Sequence, residues 1–217
     1  MSSYRIVQQG ESRSFPVAHP FLENAAPDGA SCVFLGAQAG DAFQKARGSR
    51  EQAAFIAIEL GTECLGVHTG ESSGEEGSNV VGIARFRMGN SDPSPVVELV
   101  RQPNTQDSAI AAARAAFEAA GLKVAVCGDF PGRIVDRLIR PYLNAALRRL
   151  DEKLATASDM DKTLCLGLGY PEGPISLLHR TGLAAHHDVT LALYQALGQE
   201  AYAPARRAQV AKASGRA

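Results

Sequence analysis

Few residues in this sequence have types and spacing that could do chemistry. Val33-Phe34-Leu35-Gly36-Ala37-Gln38-Ala39-Gly40 is an apolar run that leaves through glycine. A dinucleotide cradle needs a strand followed by G-x-G-x-x-G at the mouth of a helix, so that the backbone can approach the pyrophosphate. Here Gln38 stands where the second glycine would be and the loop is a residue short. No acidic residue follows on a second strand about 20 positions later to hold a ribose hydroxyl. The stretch reads as a plain turn, and no cofactor-binding residue is assigned. His68 follows the apolar run Cys64–Val67, predicted as a strand, and reads as a surface histidine. In His186-His187-Asp188 the adjacent histidines of a helix point about 100° apart and cannot readily share one ion. Cys64 and His68 supply at most two ligands, so no metal site is predicted. Cys32, Cys64, Cys127 and Cys165 lack C-x-x-C spacing and read as reduced thiols in or near the core.

The elements that must position these groups are clearer. Tyr4–Gln8, Ser31–Leu35, Ala54–Leu60, Val80–Phe86, Pro95–Val100 and Val124–Cys127 are short apolar runs of strand length. Residues 41–54 are polar and predict a helix or a surface crossing. Gln106–Ala120 has a helical period and stops at Gly121, giving a strand–helix–strand crossover. The segment 71–79, ESSGEEGSN, predicts a mobile acidic loop.

From Asp129 onward the pattern is helical. Asp129 and Pro131 suit a helix start. Apolar residues then fall at Leu138/Ile139, Tyr142/Leu143, Ala146/Leu147, Leu150 and Leu154, leaving Arg137, Arg140, Arg148 and Arg149 for the outer face. Pro141 predicts a kink. A second helix opens at Ser158 with Asp161 as a loose capping box and closes in GLGYPEGP (167–174). A further helix is predicted over Ile175–Thr181, and the tail Ala205–Ala217 is expected to fray. The domain boundary is placed near Asp129, giving an α/β domain over 1–129 and an all-helical domain over 130–217.

The order of motifs in the second half resembles the C-terminal domain of the 3-hydroxyacyl-CoA dehydrogenases. That family carries P-G-F-I-V-N-R-L-x-x-P-Y-x-N and then D-I-D…G-x-G-x-P-x-G-P. Here the runs are Pro131-Gly132-Arg133-Ile134-Val135-Asp136-Arg137-Leu138 and Pro141-Tyr142-Leu143-Asn144. They continue as Asp159-Met160-Asp161 and Gly167-Leu168-Gly169-Tyr170-Pro171-Glu172-Gly173-Pro174. The resemblance extends back to about Val80 and forward to Tyr202-Ala203-Pro204. It implies a shortened Rossmann-like α/β domain followed by a dehydrogenase-type helical domain, with NAD as cofactor and an acyl-CoA thioester as ligand. Some family members carry such a shortened unit ahead of a second helical domain.

The family oxidises a 3-hydroxyl with a histidine base, a glutamate that orients it, and a nearby serine and asparagine. Carried over one position at a time, the glutamate falls on Glu98 in Val96-Val97-Glu98-Leu99-Val100. The histidine falls on Ala84, the asparagine on Asp136 and the serine on Cys64. The spacing from Phe86 to Glu98 is about two residues longer than in the family. Glu98 and Asp136 are the candidate catalytic residues. A surface role for Asp136 beside Arg133 or Arg140 is the alternative. The resemblance therefore implies a 3-hydroxyacyl-CoA dehydrogenase with weak or no oxidation of its own, or a non-catalytic acyl-CoA-binding or assembly module. In either case helix pairing would make it a homodimer.

Charge narrows the partners. The net charge is −1, with 7 Lys/Arg against 12 Asp/Glu in residues 1–100 and 15 against 11 in residues 101–217. Neither half has the basic stripe that nucleic acid requires. A basic rear suits a phosphate-bearing ligand such as coenzyme A, as it would any solvated helical surface. No apolar run approaches the ~20 residues of a membrane span, and the first residues lack a signal-peptide core, so a cytoplasmic location is expected.

Overall fold

The computed structural model describes residues 3–46 and 52–215. It divides into two compact units, one built from Met1–Arg87 with Pro93–Ile134, the other from Met88–Asp92 with Val135–Ala217. The segment 47–51 of the expected polar crossing lies outside the described residues.

The first unit is a six-stranded sheet. Its strands are β1 (Tyr4–Gln8), β2 (Ser31–Leu35), β3 (Ile56–Glu59), β4 (Val80–Arg85), β5 (Val96–Arg101) and β6 (Lys123–Gly128), in that spatial order. β1 to β4 are mutually parallel, β5 runs antiparallel to β4, and β6 is parallel to β5. Short helices α1 (Pro20–Glu23), α2 (Ala39–Lys45) and α3 (Gly66–Thr69) follow β1, β2 and β3, and α4 (Asp107–Ala119) joins β5 to β6. That last crossover follows from the alanine-rich helical period and its stop at Gly121, whose φ is +83°.

Strands buried on both faces read as continuous apolar runs, and SCVFL in β2 is buried throughout. Alternate residues feed two cores. Val33, Leu35, Ala57, Val81, Ile83, Val97 and Leu99 face α4 and an aromatic stack of Phe15, Phe21 and Phe117. Cys32, Phe34, Ile56, Ile58, Val80 and Val100 face α2. The acidic segment 71–79 is anchored at several points. Asn104 donates its backbone N–H to the Glu76 carbonyl and its amide to the Glu75 carbonyl, and Gln106 N–H reaches Ser78. The Glu76 carboxylate gathers the N–H groups of Ser72 and Ser73. Those hydrogen bonds hold its pKa down at about 2.

The second unit contains α5 (Val135–Asp151), α6 (Ala157–Leu168), α7 (Pro174–Thr181), α8 (Leu183–Leu197), a 3₁₀ turn (Glu200–Tyr202) and α9 (Arg206–Ala213). α5 runs through Pro141 as one helix and buries Leu143, Ala146 and Leu147. Several details differ from the sequence reading. Asp129 does not start a helix: its carboxylate receives the N–H groups of Leu65 and Gly66, at 2.6 and 2.7 Å. α6 is capped by Thr156, whose hydroxyl accepts Asp159 N–H. Asp161 instead receives Ile175 N–H and Ser176 N–H, each at 2.9 Å, and so caps α7. Of the tail expected to fray, Arg206–Ala213 forms α9 with Ala208 and Ala211 buried, while residues 216–217 lie outside the described residues. No helix among the described residues is long and apolar enough to cross a membrane.

Candidate active site

Glu98 and Ala84 are directly opposed in the antiparallel β4–β5 pair, so their side chains share one face of the sheet with Cβ atoms about 4.5–5.5 Å apart. Glu98 is 3% exposed. Its Oε1 accepts the Ile134 N–H at 3.0 Å, and its Oε2 receives Arg133 Nε at 3.4 Å. The Arg133–Glu98 pair is buried on both sides, so each charge depends on the other for compensation.

Arg133 reaches this position through the turn after β6. Gly132 and Arg133 both adopt left-handed backbone, with φ of +74° and +51°. That conformation is strained for a side chain as large as arginine. Gly132 N–H bonds the Thr62 carbonyl, and Arg133 Nη2 donates to the Gly61 carbonyl at 2.6 Å. The turn after β6 is thereby tied to the turn after β3. The sequence reading offered Arg133 or Arg140 as the partner of Asp136; Arg133 pairs with Glu98, and Arg140 is the one that pairs with Asp136.

Cys64 and Cys127 flank the same turns. Burial raises both thiols to about 11, with further upward pressure on Cys64 from Asp129 and Glu71 and on Cys127 from Glu98. Both therefore stay protonated near neutral pH and make poor nucleophiles.

A cleft of about 270 Å³ opens at the carboxyl ends of β1, β2 and β3 and includes Gln38, Glu59, Glu63 and His68 in its lining. His68 lies on α3, not on the strand predicted from its apolar neighbours. His68 Nε2 is 3.5 Å from Glu63 Oε1, which also receives Gly61 N–H at 3.0 Å. Burial tends to raise the Glu63 carboxyl, but the hydrogen bonds from His68 and from backbone N–H groups outweigh it, so the net shift is downward. A side chain at Gly40 would strike the His68 ring, which packs directly on that glycine. Gln38 does not simply fill a turn, because its Oε1 lies where a Cβ on Gly10 would stand.

Glu59 ends β3, the strand after β2, and so corrects the expectation that no acidic residue follows on a second strand at about the ribose-binding distance. It is 7% exposed, and its two carboxylate oxygens accept Ser14 N–H and Gly36 N–H, both at 2.7 Å. The available signal was one acid in the otherwise apolar run Ala54–Leu60, two residues before Gly61. Among the described residues no group of three or more His, Cys, Asp or Glu could hold a metal.

Asp136 lies in the helical unit. Its Oδ1 receives Arg140 Nε at 2.7 Å, one turn along α5. Arg140, expected on the outer face, is 1% exposed. It stays inside because Asp136 and His186 satisfy its charge: Nη1 lies 3.0 Å from His186 Nδ1. A guanidinium can only donate, so Nδ1 accepts. His186 Nε2 then carries the proton and donates to Asn144 Oδ1 at 3.0 Å. The Asn144 amide donates onward to the carbonyls of Ala201 and Ala203. Burial, followed by the charge of Arg140, lowers the His186 pKa to about 3.

A Rossmann-like α/β sheet unit with a helical domain is therefore the class that these elements define. Comparison with known proteins gives the relatives of this chain. Residues 132–216 match the family model described as 3-hydroxyacyl-CoA dehydrogenase, C-terminal domain. A 3-hydroxybutyryl-CoA dehydrogenase of Mycobacterium tuberculosis is 33% identical over 111 residues, 51% of this chain and 39% of that enzyme. Human mitochondrial hydroxyacyl-coenzyme A dehydrogenase is 38% identical over 95 residues, 42% of this chain and 30% of its own length. The solved (S)-3-hydroxybutyryl-CoA dehydrogenase of Ralstonia eutropha superposes with a TM-score of 0.69 at 24% identity, covering 86% of this chain and 66% of that one. Residues 132–216 thus match the C-terminal domain of the 3-hydroxyacyl-CoA dehydrogenases, and the relatives align over about half of this chain. Its matched stretch spans about two fifths of the Mycobacterium relative.

Proposed function

We propose that this chain serves 3-hydroxyacyl-CoA metabolism, of the acyl-CoA or aromatic-acid β-oxidation type, without oxidising a 3-hydroxyacyl thioester by itself. One observation carries the reading: the residue facing Glu98 across the strand pair is Ala84, and the carboxylate is engaged by Arg133 and Ile134. Oxidation of a hydroxyl needs a group to take its proton, and alanine has none. Loss of a general base typically costs about 10²–10⁴ in rate. Glu98 then acts as the counter-charge of a buried arginine and no longer orients a base. Asp136, committed to Arg140, belongs to the framework of the helical unit.

The alternative within the same family, a non-catalytic acyl-CoA-binding or assembly module, draws support from the helical unit. Leu138, Leu154, Leu166 and Leu168 are each more than 60% exposed, an apolar surface suited to pairing two copies through α5 and α6. Thermal denaturation with acetoacetyl-CoA, together with light scattering, tests this module reading, and NADH formation from 3-hydroxybutyryl-CoA tests the first. Stabilisation by the thioester and a dimer mass are the expected results. A monomer that does not respond to the thioester contradicts the module reading.

A further inference from the structure

We propose that Glu59 is a resident anion that closes the strand-end cleft of this chain to dinucleotides. Family resemblance implies NAD, yet the residues present do not fit it. A pyrophosphate at the carboxyl ends of parallel strands is held by backbone N–H groups in the turns that leave the strands. Gly36 at the exit of β2 and Ser14 in the segment after β1 offer N–H groups of this kind. Both already donate at 2.7 Å, one to each oxygen of a single buried carboxylate. A charge-assisted pair of this kind is among the stronger hydrogen-bonding arrangements, and the carboxylate would repel an incoming phosphate.

Two further observations, independent of Glu59, point the same way. Gly10 follows β1 with φ of +83°, a conformation suited to glycine, but the Gln38 side chain covers it on the side where a Cβ would stand. In addition, open α/β sheets bind dinucleotides where the strand order reverses. The order β1-β2-β3-β4-β5-β6 has no reversal. A dinucleotide-dependent step involving this chain therefore requires that the dinucleotide be held by another domain or polypeptide. This inference does not rest on the missing base at Ala84, and the two can fail separately.

The test follows the Ser14 and Gly36 amide signals by ¹H–¹⁵N NMR, with NAD and with inorganic pyrophosphate as probes. In the wild-type chain neither probe should move them. Glu59→Ala frees both N–H groups. Pyrophosphate should then shift the two signals and, at about ten times its Kd, lower the unfolding equilibrium constant about 11-fold. If Glu59→Ala does not fold, Glu59→Gln decides, since it keeps an acceptor and removes the charge. Pyrophosphate shifts of the two amides in that variant support the inference. Their absence in a folded variant overturns it, as does movement of these amides by NAD in the wild type. NAD binding without turnover would overturn this inference and leave the argument from Ala84 standing.

Discussion

Removing the guanidinium of Arg133 isolates the contribution that the reorganised site makes to stability. In Arg133→Met the aliphatic bulk is largely kept, but Glu98, 3% exposed, loses its buried counter-charge. The Ile134 N–H at 3.0 Å remains as a partner. Breaking a buried pair from one side typically costs about 3–5 kcal/mol. Replacing both partners, as in Arg133→Met with Glu98→Gln, leaves no uncompensated charge, so the double variant should recover most of that loss. Urea denaturation followed by circular dichroism at pH 7 measures these quantities. A single-variant loss below about 1 kcal/mol, the size of an exposed pair, would refute the reasoning. So would a double variant no more stable than the single one.

Three further outcomes are expected. His186 is neutral when folded, with a pKa of about 3 against the usual 6.5. The unfolded chain therefore binds its proton first, and stability is lost as pH falls from about 6.5 toward 3, by up to about 5 kcal/mol. His186→Gln should remove that part of the acid sensitivity, measured as the difference in urea midpoints between pH 7 and pH 4. Asp161→Ala removes the acceptor for Ile175 and Ser176 N–H, and losing a helix cap should lower stability by about 0.5–2 kcal/mol in equilibrium unfolding. Cys64 and Cys127, with thiols raised to about 11, should react with a thiol reagent at pH 7 far more slowly than an ordinary free cysteine. Equal rates would contradict the stated environment.

Much of the fold was readable because it rests on local periodicity. Ser31–Leu35 is a strand over the span expected, since a buried parallel strand is apolar at every position. The crossover through α4 followed from its alanine-rich period and from Gly121. Polar groups whose partners are distant in sequence were misread. Asp129 caps residues 65 and 66, Asp161 caps a helix 14 positions away, and Arg140 is buried because His186 lies 46 positions on. Periodicity sees a charged side chain and assigns it to solvent, because it carries no information about a partner that makes burial tolerable. Ala84 and Glu98 became informative through family resemblance, and their opposition then appeared in the β4–β5 register. Arg133 stands where the family motif has phenylalanine, yet only the turn after β6 shows that it reaches Glu98. Glu59 escaped notice for the same reason, since both of its donors lie outside its own strand.

The central claim is that this chain alone does not oxidise a 3-hydroxyacyl thioester. NADH formation from 3-hydroxybutyryl-CoA and NAD by the purified chain tests it most directly. Formation at background is the result predicted by Ala84 and by the engagement of Glu98 with Arg133. Turnover in the ordinary enzymatic range of about 1–10³ s⁻¹, abolished by Glu98→Gln, would contradict it and make His68, paired with Glu63 in the strand-end cleft, the first candidate for the base.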